Sequence, residues 1–207
     1  MSRFVSILIL VLLLLALAAI APAGLLPGDD ATTRAIAGSG IDLSIVSRIA
    51  SLPVWSALVL VTVAVMWLAG IRRGAVLLLV GDLSAELVSL VLKEGIGRPR
   101  PAFGLVEDAG ATASFPSNSV VRVAVTLGVL VFVAAWHRPR WRAPAATTAV
   151  ALALLVGFSR IASGEHWLSD VIAAYLLAGA WLLVIPGIVK LVGADGASTR
   201  RRQPGAT

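Results

Sequence analysis

The stretch Ala75-Val76-Leu77-Leu78-Leu79-Val80-Gly81-Asp82-Leu83-Ser84-Ala85-Glu86-Leu87-Val88-Ser89-Leu90-Val91-Leu92 decides the architecture. It comes close to the roughly 20 mostly apolar residues with which an α-helix crosses a bilayer core about 30 Å thick. Arg72 and Arg73 stand just before it and Lys93 just after, so charge is confined to its ends apart from two internal acids. Working outward, five further stretches qualify approximately: Phe4–Ile20, Val54–Ile71, Val120–Trp136, Ala143–Ile161 and Trp167–Val192. The expected fold class is therefore all-α, a six-helix transmembrane bundle filling residues 1–192. Residues 193–207 read as a basic, disordered tail. No internal repeat or additional soluble domain is visible.

Composition leads to the same place. Of 207 residues 58% are hydrophobic and only 14% charged, with a mean hydropathy of +0.95. Soluble domains are roughly 45–50% apolar and about 25% charged. The chain contains no cysteine, which excludes disulfides, cysteine-ligated zinc and thiol nucleophiles. Two histidines without cysteine argue against a dedicated transition-metal site, so neither metal nor cofactor is expected. A net charge of +6 would suggest nucleic acid in a soluble protein. Here the basic residues sit in short loops beside apolar runs, the pattern of membrane topology, and no nucleic-acid partner is expected.

The first stretch has features of a cleaved signal peptide, Arg3 before it and Ala19-Ile20-Ala21 after it, but its apolar run exceeds the usual 7–15-residue signal core, which favours a retained helix. With the N-terminus inside, ten Lys and Arg residues fall on the cytoplasmic side and seven outside. The short loops Ile71–Gly74 and His137–Arg142 carry that bias, so a multi-pass protein of the cell membrane with both termini cytoplasmic is expected. Segment Ala21–Pro53 then lies outside and admits two readings, an interfacial helix carrying Ile36, Ile41, Leu43, Ile45, Val46 and Ile49, or a loop packed on the bundle.

Three polar clusters emerge on that same outer face. The first is Lys93-Glu94-Gly95-Ile96-Gly97-Arg98-Pro99-Arg100-Pro101, after the third helix. Topology supplies no reason for a basic cluster outside, whereas a pocket for an anion does, because Arg holds phosphate with paired hydrogen bonds and Lys adds a point charge. The second is Phe115-Pro116-Ser117-Asn118-Ser119, opening the fourth helix. Ser and Asn there are ordinary helix caps, yet the free N–H groups that need a cap also bind phosphate. The third runs from Ser159-Arg160 through Glu165-His166 to Asp170. His166 and Asp170 are four residues apart and share one helix face. The carboxylate can then accept one imidazole N–H and leave the other nitrogen free for attack. The remaining histidine, His137, lies in the Arg-rich loop on the opposite side and reads as a loop residue.

These clusters resemble the type 2 phosphatidic acid phosphatase (PAP2) superfamily. Its signature of Lys, six residues and Arg-Pro is matched by Lys93, Arg100 and Pro101. Its Pro-Ser-Gly-His is matched in part, as Pro116-Ser117-Asn118-Ser119. Its Ser-Arg, five residues, His, three residues and Asp is matched by Ser159, Arg160, His166 and Asp170. The resemblance implies a six-helix bundle of PAP2 type and a metal-independent hydrolase acting on a membrane lipid phosphate or diphosphate through a phosphohistidine. It implies that Lys93, Arg100, Ser117 and Arg160 hold phosphoryl oxygens, with the Asn118 backbone N–H beside them. His166 would attack phosphorus and Asp170 would orient it.

The departure is Ser119, where the family has the histidine that protonates the leaving group; a serine hydroxyl is too weak an acid for that work. Losing a general acid costs about 10²–10⁴-fold in rate. An alcohol leaves poorly without a proton, whereas the phosphate monoester released from a diphosphate departs as an anion. The expected substrate is therefore a lipid diphosphate, plausibly a polyprenyl diphosphate, and the alternative is a catalytically impaired binder of lipid phosphate. Glu165, Glu94, Glu107 and Asp108 are possible replacement acids, although Glu165 points elsewhere if its segment is helical. Arg122, three residues after Ser119, is positioned either to place a cation near the vacated position or to snorkel to the interface. Asp82 and Glu86 lie about 16 Å and 10 Å below Lys93 along the third helix. They are either intramembrane functional acids or partners of Arg122 and hydroxyls inside the bundle. Solute transport rests on those acids alone, without the paired half-helices or inverted repeats that mark it.

Overall fold

A computed structural model describes residues 3–21, 26–102 and 113–200, with the backbone alone over 186–200. Glu107 and Asp108 lie outside the described residues, as do 201–207. Among the described residues the chain forms α1 (Arg3–Ile20), α2 (Asp29–Ala37), α3 (Ser44–Ile49), α4 (Leu52–Leu68), α5 (Arg72–Ile96), α6 (Asn118–His137), α7 (Arg142–Ala162) and α8 (Leu168–Arg200), with a 3-10 turn at Pro139–Trp141 and no strand. The final helix continues past Val192 to Arg200.

Among the described residues four segments are long and apolar enough to cross a membrane: Arg72–Ile96, Asn118–His137, Pro139–Ala162 and Leu168–Ile185. Two further apolar helices, Phe4–Ile20 and Leu52–Leu68, are shorter. The second of these starts earlier than Val54 because Pro53 is tolerated in a first helical turn. It stops before Ile71 because Gly70 adopts a left-handed φ of 78°. The Ile71 N–H then bonds back to the Met66 carbonyl at 2.8 Å, a Schellman closure.

Helix α6 is the centre of the molecule, packed against α5, α7 and α8, while α1 lies on α8 and α4 on α5. Its buried stripe runs through Val121, Val125, Val129 and Val133, with Val125 and Val129 beside Gly81 and Val133 beside Gly74 of α5. A Cβ on Gly128 would stand 2.4 Å from Leu182 Cδ1, so α6 meets α8 across a bare backbone. On α5 the residues Ala75, Leu78, Asp82, Ala85, Ser89 and Lys93 form one buried stripe at helical spacing. Leu83, Leu87 and Val91 on its other side are exposed, as a lipid-facing surface requires.

The two acids of that stripe have partners inside the bundle. Thr126 donates to Asp82 at 2.8 Å and receives the Trp55 indole N–H at 3.3 Å. Glu86 accepts Arg122 through both Nε and Nη2, at 3.2 and 3.1 Å. Over residues 26–51 the chain forms α2 and α3, which pack on α7, with α2 reaching α8 as well. They bury Asp29, Thr33, Ser47 and Ala50 against the bundle and leave Ile41, Ile45 and Ile49 exposed.

Candidate active site

Helix α5 carries Lys93 to its last turn and ends because Gly97 adopts a left-handed φ of 62°, its N–H closing on the Lys93 carbonyl. Pro99 and Pro101 cannot continue a helix, so Arg98-Pro99-Arg100-Pro101 runs out across the neighbouring helix ends. The Pro99 carbonyl there accepts the Trp167 indole N–H at 2.9 Å and the Ser114 hydroxyl at 3.1 Å. Helix α7 ends in a turn closed by Gly164 at φ 67°. The Glu165 and His166 N–H groups both return to the Arg160 carbonyl, at 3.2 and 3.3 Å. The Ser117 N–H bonds the Asp170 carbonyl at 3.2 Å, joining the start of α6 to the first turn of α8. All three clusters therefore meet at one end of the bundle.

His166 is 2% exposed and Asp170 fully buried. The histidine stands in the turn before α8, and its Nδ1 lies 3.6 Å from Asp170 Oδ2, beyond a formed hydrogen bond. Asp170 is itself held by the Trp167 N–H at 2.9 Å and by Arg98 at 2.6 Å. Burial pushes the His166 imidazole down to about 3, with Arg160 and Arg100 adding to the effect and Asp170 opposing it. The ring is neutral near pH 7.

Near it stand Arg100 and Arg160, with Lys93 close to both of them and to Asp170. Lys93 is 8% exposed, and its charge is felt by Arg100, Arg160 and Asp170. Arg160 donates to the Ser47 hydroxyl at 3.0 Å and pairs closely with Glu165. Arg100 donates to the Glu165 carbonyl at 3.1 Å and lies 3.8 Å from the same carboxylate oxygen that Arg160 meets. The segment holding Glu165 is a turn and not a helix, so the side chain faces the two arginines instead of pointing away.

Four buried side-chain atoms have no hydrogen-bond partner among the described residues: Ser117 Oγ, Arg160 Nε, His166 Nδ1 and Arg122 Nη1. An unmet buried polar group costs about 1–3 kcal/mol, and native structures contain few of them. Three of the four belong to the motif residues, and the fourth lies one helical turn beyond Ser119. Ser119 is itself buried, at 9% exposure. The side chain of Asn118 turns the other way, accepting the Ser89 hydroxyl at 2.6 Å and donating to Glu86 at 3.4 Å. Any contact it makes with an anion is thus left to its backbone N–H. The Ser159 hydroxyl closes back on the Val156 carbonyl within its own helix. Glu94 is exposed.

Sequence reasoning missed the shell that holds Asp170. Arg98 is 1% exposed and donates to Asp170, to Ser169 at 2.7 Å and to Asp29 at 2.7 Å. Asp29 also accepts the Ser169 hydroxyl and N–H, at 2.6 and 2.9 Å. The doubled Arg-Pro of the first cluster was the available signal for Arg98. Nothing local marks Asp29.

Fold and site together define a helical membrane protein with a neutral, buried histidine beside a fixed carboxylate and three cations. The chain belongs to the PAP2 superfamily, whose family profile matches residues 74–193. It is 34% identical over 112 residues to a lipid A 1-phosphatase of Rhizobium johnstonii, covering 50% of this chain and 42% of that protein. It is 31% identical over 106 residues to phosphatidylglycerophosphatase B of Bacillus subtilis, covering 49% and 51%. The chain thus spans about half the length of the curated relatives it matches. Its fold is similar to the crystal structure of a transmembrane PAP2-type phosphatidylglycerolphosphate phosphatase from Bacillus subtilis, with a TM-score of 0.76, 24% identity, and coverage of 90% of this chain and 97% of that one.

Proposed function

We propose that the protein is a membrane phosphatase that hydrolyses a lipid phosphate through a phosphohistidine on His166, with a lipid diphosphate such as a polyprenyl diphosphate as its preferred substrate. The observation that carries this reading is the buried imidazole of His166 beside Asp170, with Arg100 and Arg160 near it and Lys93 near those same groups. The names of its relatives, phosphatases of lipid A and of phosphatidylglycerophosphate, support the substrate class.

Because Nδ1 faces Asp170, Nε2 is the nitrogen that attacks phosphorus. The N–P bond forms as the bond from phosphorus to the leaving oxygen breaks. The cations and the backbone N–H groups at the start of α6 neutralise the equatorial oxygens. A water then attacks the phosphohistidine, releasing inorganic phosphate and restoring the imidazole. Ser119 offers no acid, so the leaving group must depart as an anion. A lipid monophosphate does this readily and an alkoxide does not. In this reading six helices span the bilayer, both termini are cytoplasmic and the site opens on the outer face.

Phosphate release by purified protein from polyprenyl diphosphate and from phosphatidic acid tests the reading, with His166→Ala as control. Release from the diphosphate is expected to be the faster of the two. Equal, background-level release from wild type and control on both substrates would refute it. Ser119 favours a second reading, a lipid-phosphate binder without turnover. That reading predicts no diphosphatase activity until a Ser119→His change restores it.

A further inference from the structure

We infer that Arg122 forms a second anion subsite beside Ser119, which receives the leaving-side phosphate of a lipid diphosphate and stabilises its charge where the acid is absent. This inference rests on the phosphatase reading above and deepens it.

Four observations carry it. Arg122 follows Ser119 by three residues on α6, so the two share a helix face, and both are buried, at 3% and 9% exposure. Glu86 takes Arg122 from one side, through Nε and Nη2. That pairing fixes the guanidinium plane and leaves Nη1 as a buried donor without an acceptor. The other buried atoms without partners all belong to Ser117, Arg160 and His166 at the site itself. Finally, Arg122 is close enough to Arg160 for their charges to repel each other.

An arginine serving only as the counter-ion of Glu86 would not need its third nitrogen buried and unmatched. A phosphate oxygen supplies the acceptor. When His166 attacks the terminal phosphorus, the bridging oxygen takes the electron pair of the breaking bond, and the departing phosphate gains negative charge. A fixed guanidinium donor stabilises that charge without transferring a proton. A monophosphate ester has no second phosphate to place there, so the subsite discriminates between the two substrate classes.

The test compares wild type, Arg122→Gln, the paired variant Glu86→Gln/Arg122→Gln, and each of these in the Ser119→His background. The paired variant removes both partners of the buried ion pair and so keeps the fold testable where the single change leaves Glu86 unmatched. Arg122 loss is expected to lower kcat on polyprenyl diphosphate by about 10²-fold, the scale of one oxyanion donor. Release from phosphatidic acid should change little, and the loss should shrink to under about tenfold once Ser119→His supplies an acid. Equal losses in both backgrounds, or none in a wild type that turns over, would overturn the inference.

Ligand binding without turnover separates failure of the subsite from failure of the phosphatase reading. Inorganic pyrophosphate is expected to raise the melting temperature of wild type more than inorganic phosphate does, and the paired variant should lose that excess. Protein without turnover that still shows the Arg122-dependent excess would sink the phosphatase reading and keep the subsite. Active protein without the excess would sink the subsite alone.

Discussion

Glu165 places one carboxylate oxygen against Arg160 and within 3.8 Å of Arg100, where an incoming phosphoryl group would seek the same two cations. An anionic substrate must displace it. Removing its charge with Glu165→Gln is expected to lower KM for a lipid phosphate by about fivefold, matching the ~1 kcal/mol of a partly exposed ion pair. A KM unchanged within error would show that Glu165 does not compete. His166 carries a separate expectation. Its folded value of about 3 lies below the ordinary 6.5, so below pH 6.5 the unfolded chain binds a proton that the folded chain refuses. Stability contributed by the neutral ring is therefore complete above 6.5 and is lost as pH falls toward 3, at about 1.4 kcal/mol per pH unit. Melting scans between pH 7 and 5 should show a steeper decline for wild type than for His166→Phe, and parallel curves would contradict it. The residues of the candidate site could be picked out at this scale because His166–Asp170 and the pair Lys93 and Arg100 are short-range spacings. The Asp29–Arg98 contact was not, because it joins positions 69 residues apart, and no local pattern encodes such a meeting.

Among elements, α7 meets α8 at Gly157, which admits Tyr175. A Cβ on that glycine would stand 2.0 Å from the phenol oxygen and 2.8 Å from Val171 Cγ1. The hydroxyl reaches past it to donate to the Ala153 carbonyl at 2.8 Å. Gly157→Ala is expected to cost about 1–3 kcal/mol through overpacking. It should also lower activity, since Arg160 and Asp170 sit on the two helices that would be forced apart. Equal melting temperatures for variant and wild type would show that the ring moves aside freely. Apolar run length located the long helices, but their ends followed details that hydropathy does not see. Gly70 stops α4 early, while α5 persists through Lys93 until Gly97. Segment 21–53 was ambiguous for a related reason: its isoleucines mark an apolar face, whereas Asp29, Thr33 and Ser47, which turn inward, look like ordinary loop residues in sequence.

For the molecule as a whole, the distribution of arginines predicts which end faces the cell interior, and the absence of cysteine makes that prediction simple to check. Single cysteines at Ser39, between α2 and α3, and at His137, the last residue of α6, both fall on exposed positions. A membrane-impermeant maleimide applied to intact cells is expected to label Ser39→Cys at once and His137→Cys only after permeabilisation. The reverse pattern would invert the topology. The tie between Asp29, Arg98 and Asp170 bears on how the protein is made. A ribosome delivers Asp29 first, Arg98 next and Asp170 last, so the guanidinium is in place with one of its two carboxylates before the other exists. A nascent chain that stalls before α8 holds Asp29 and Arg98 as a balanced pair but has no Asp170 for Arg98 to fix. Completion of the last helix is thus the event that completes the tie, because only then does Arg98 meet its second carboxylate.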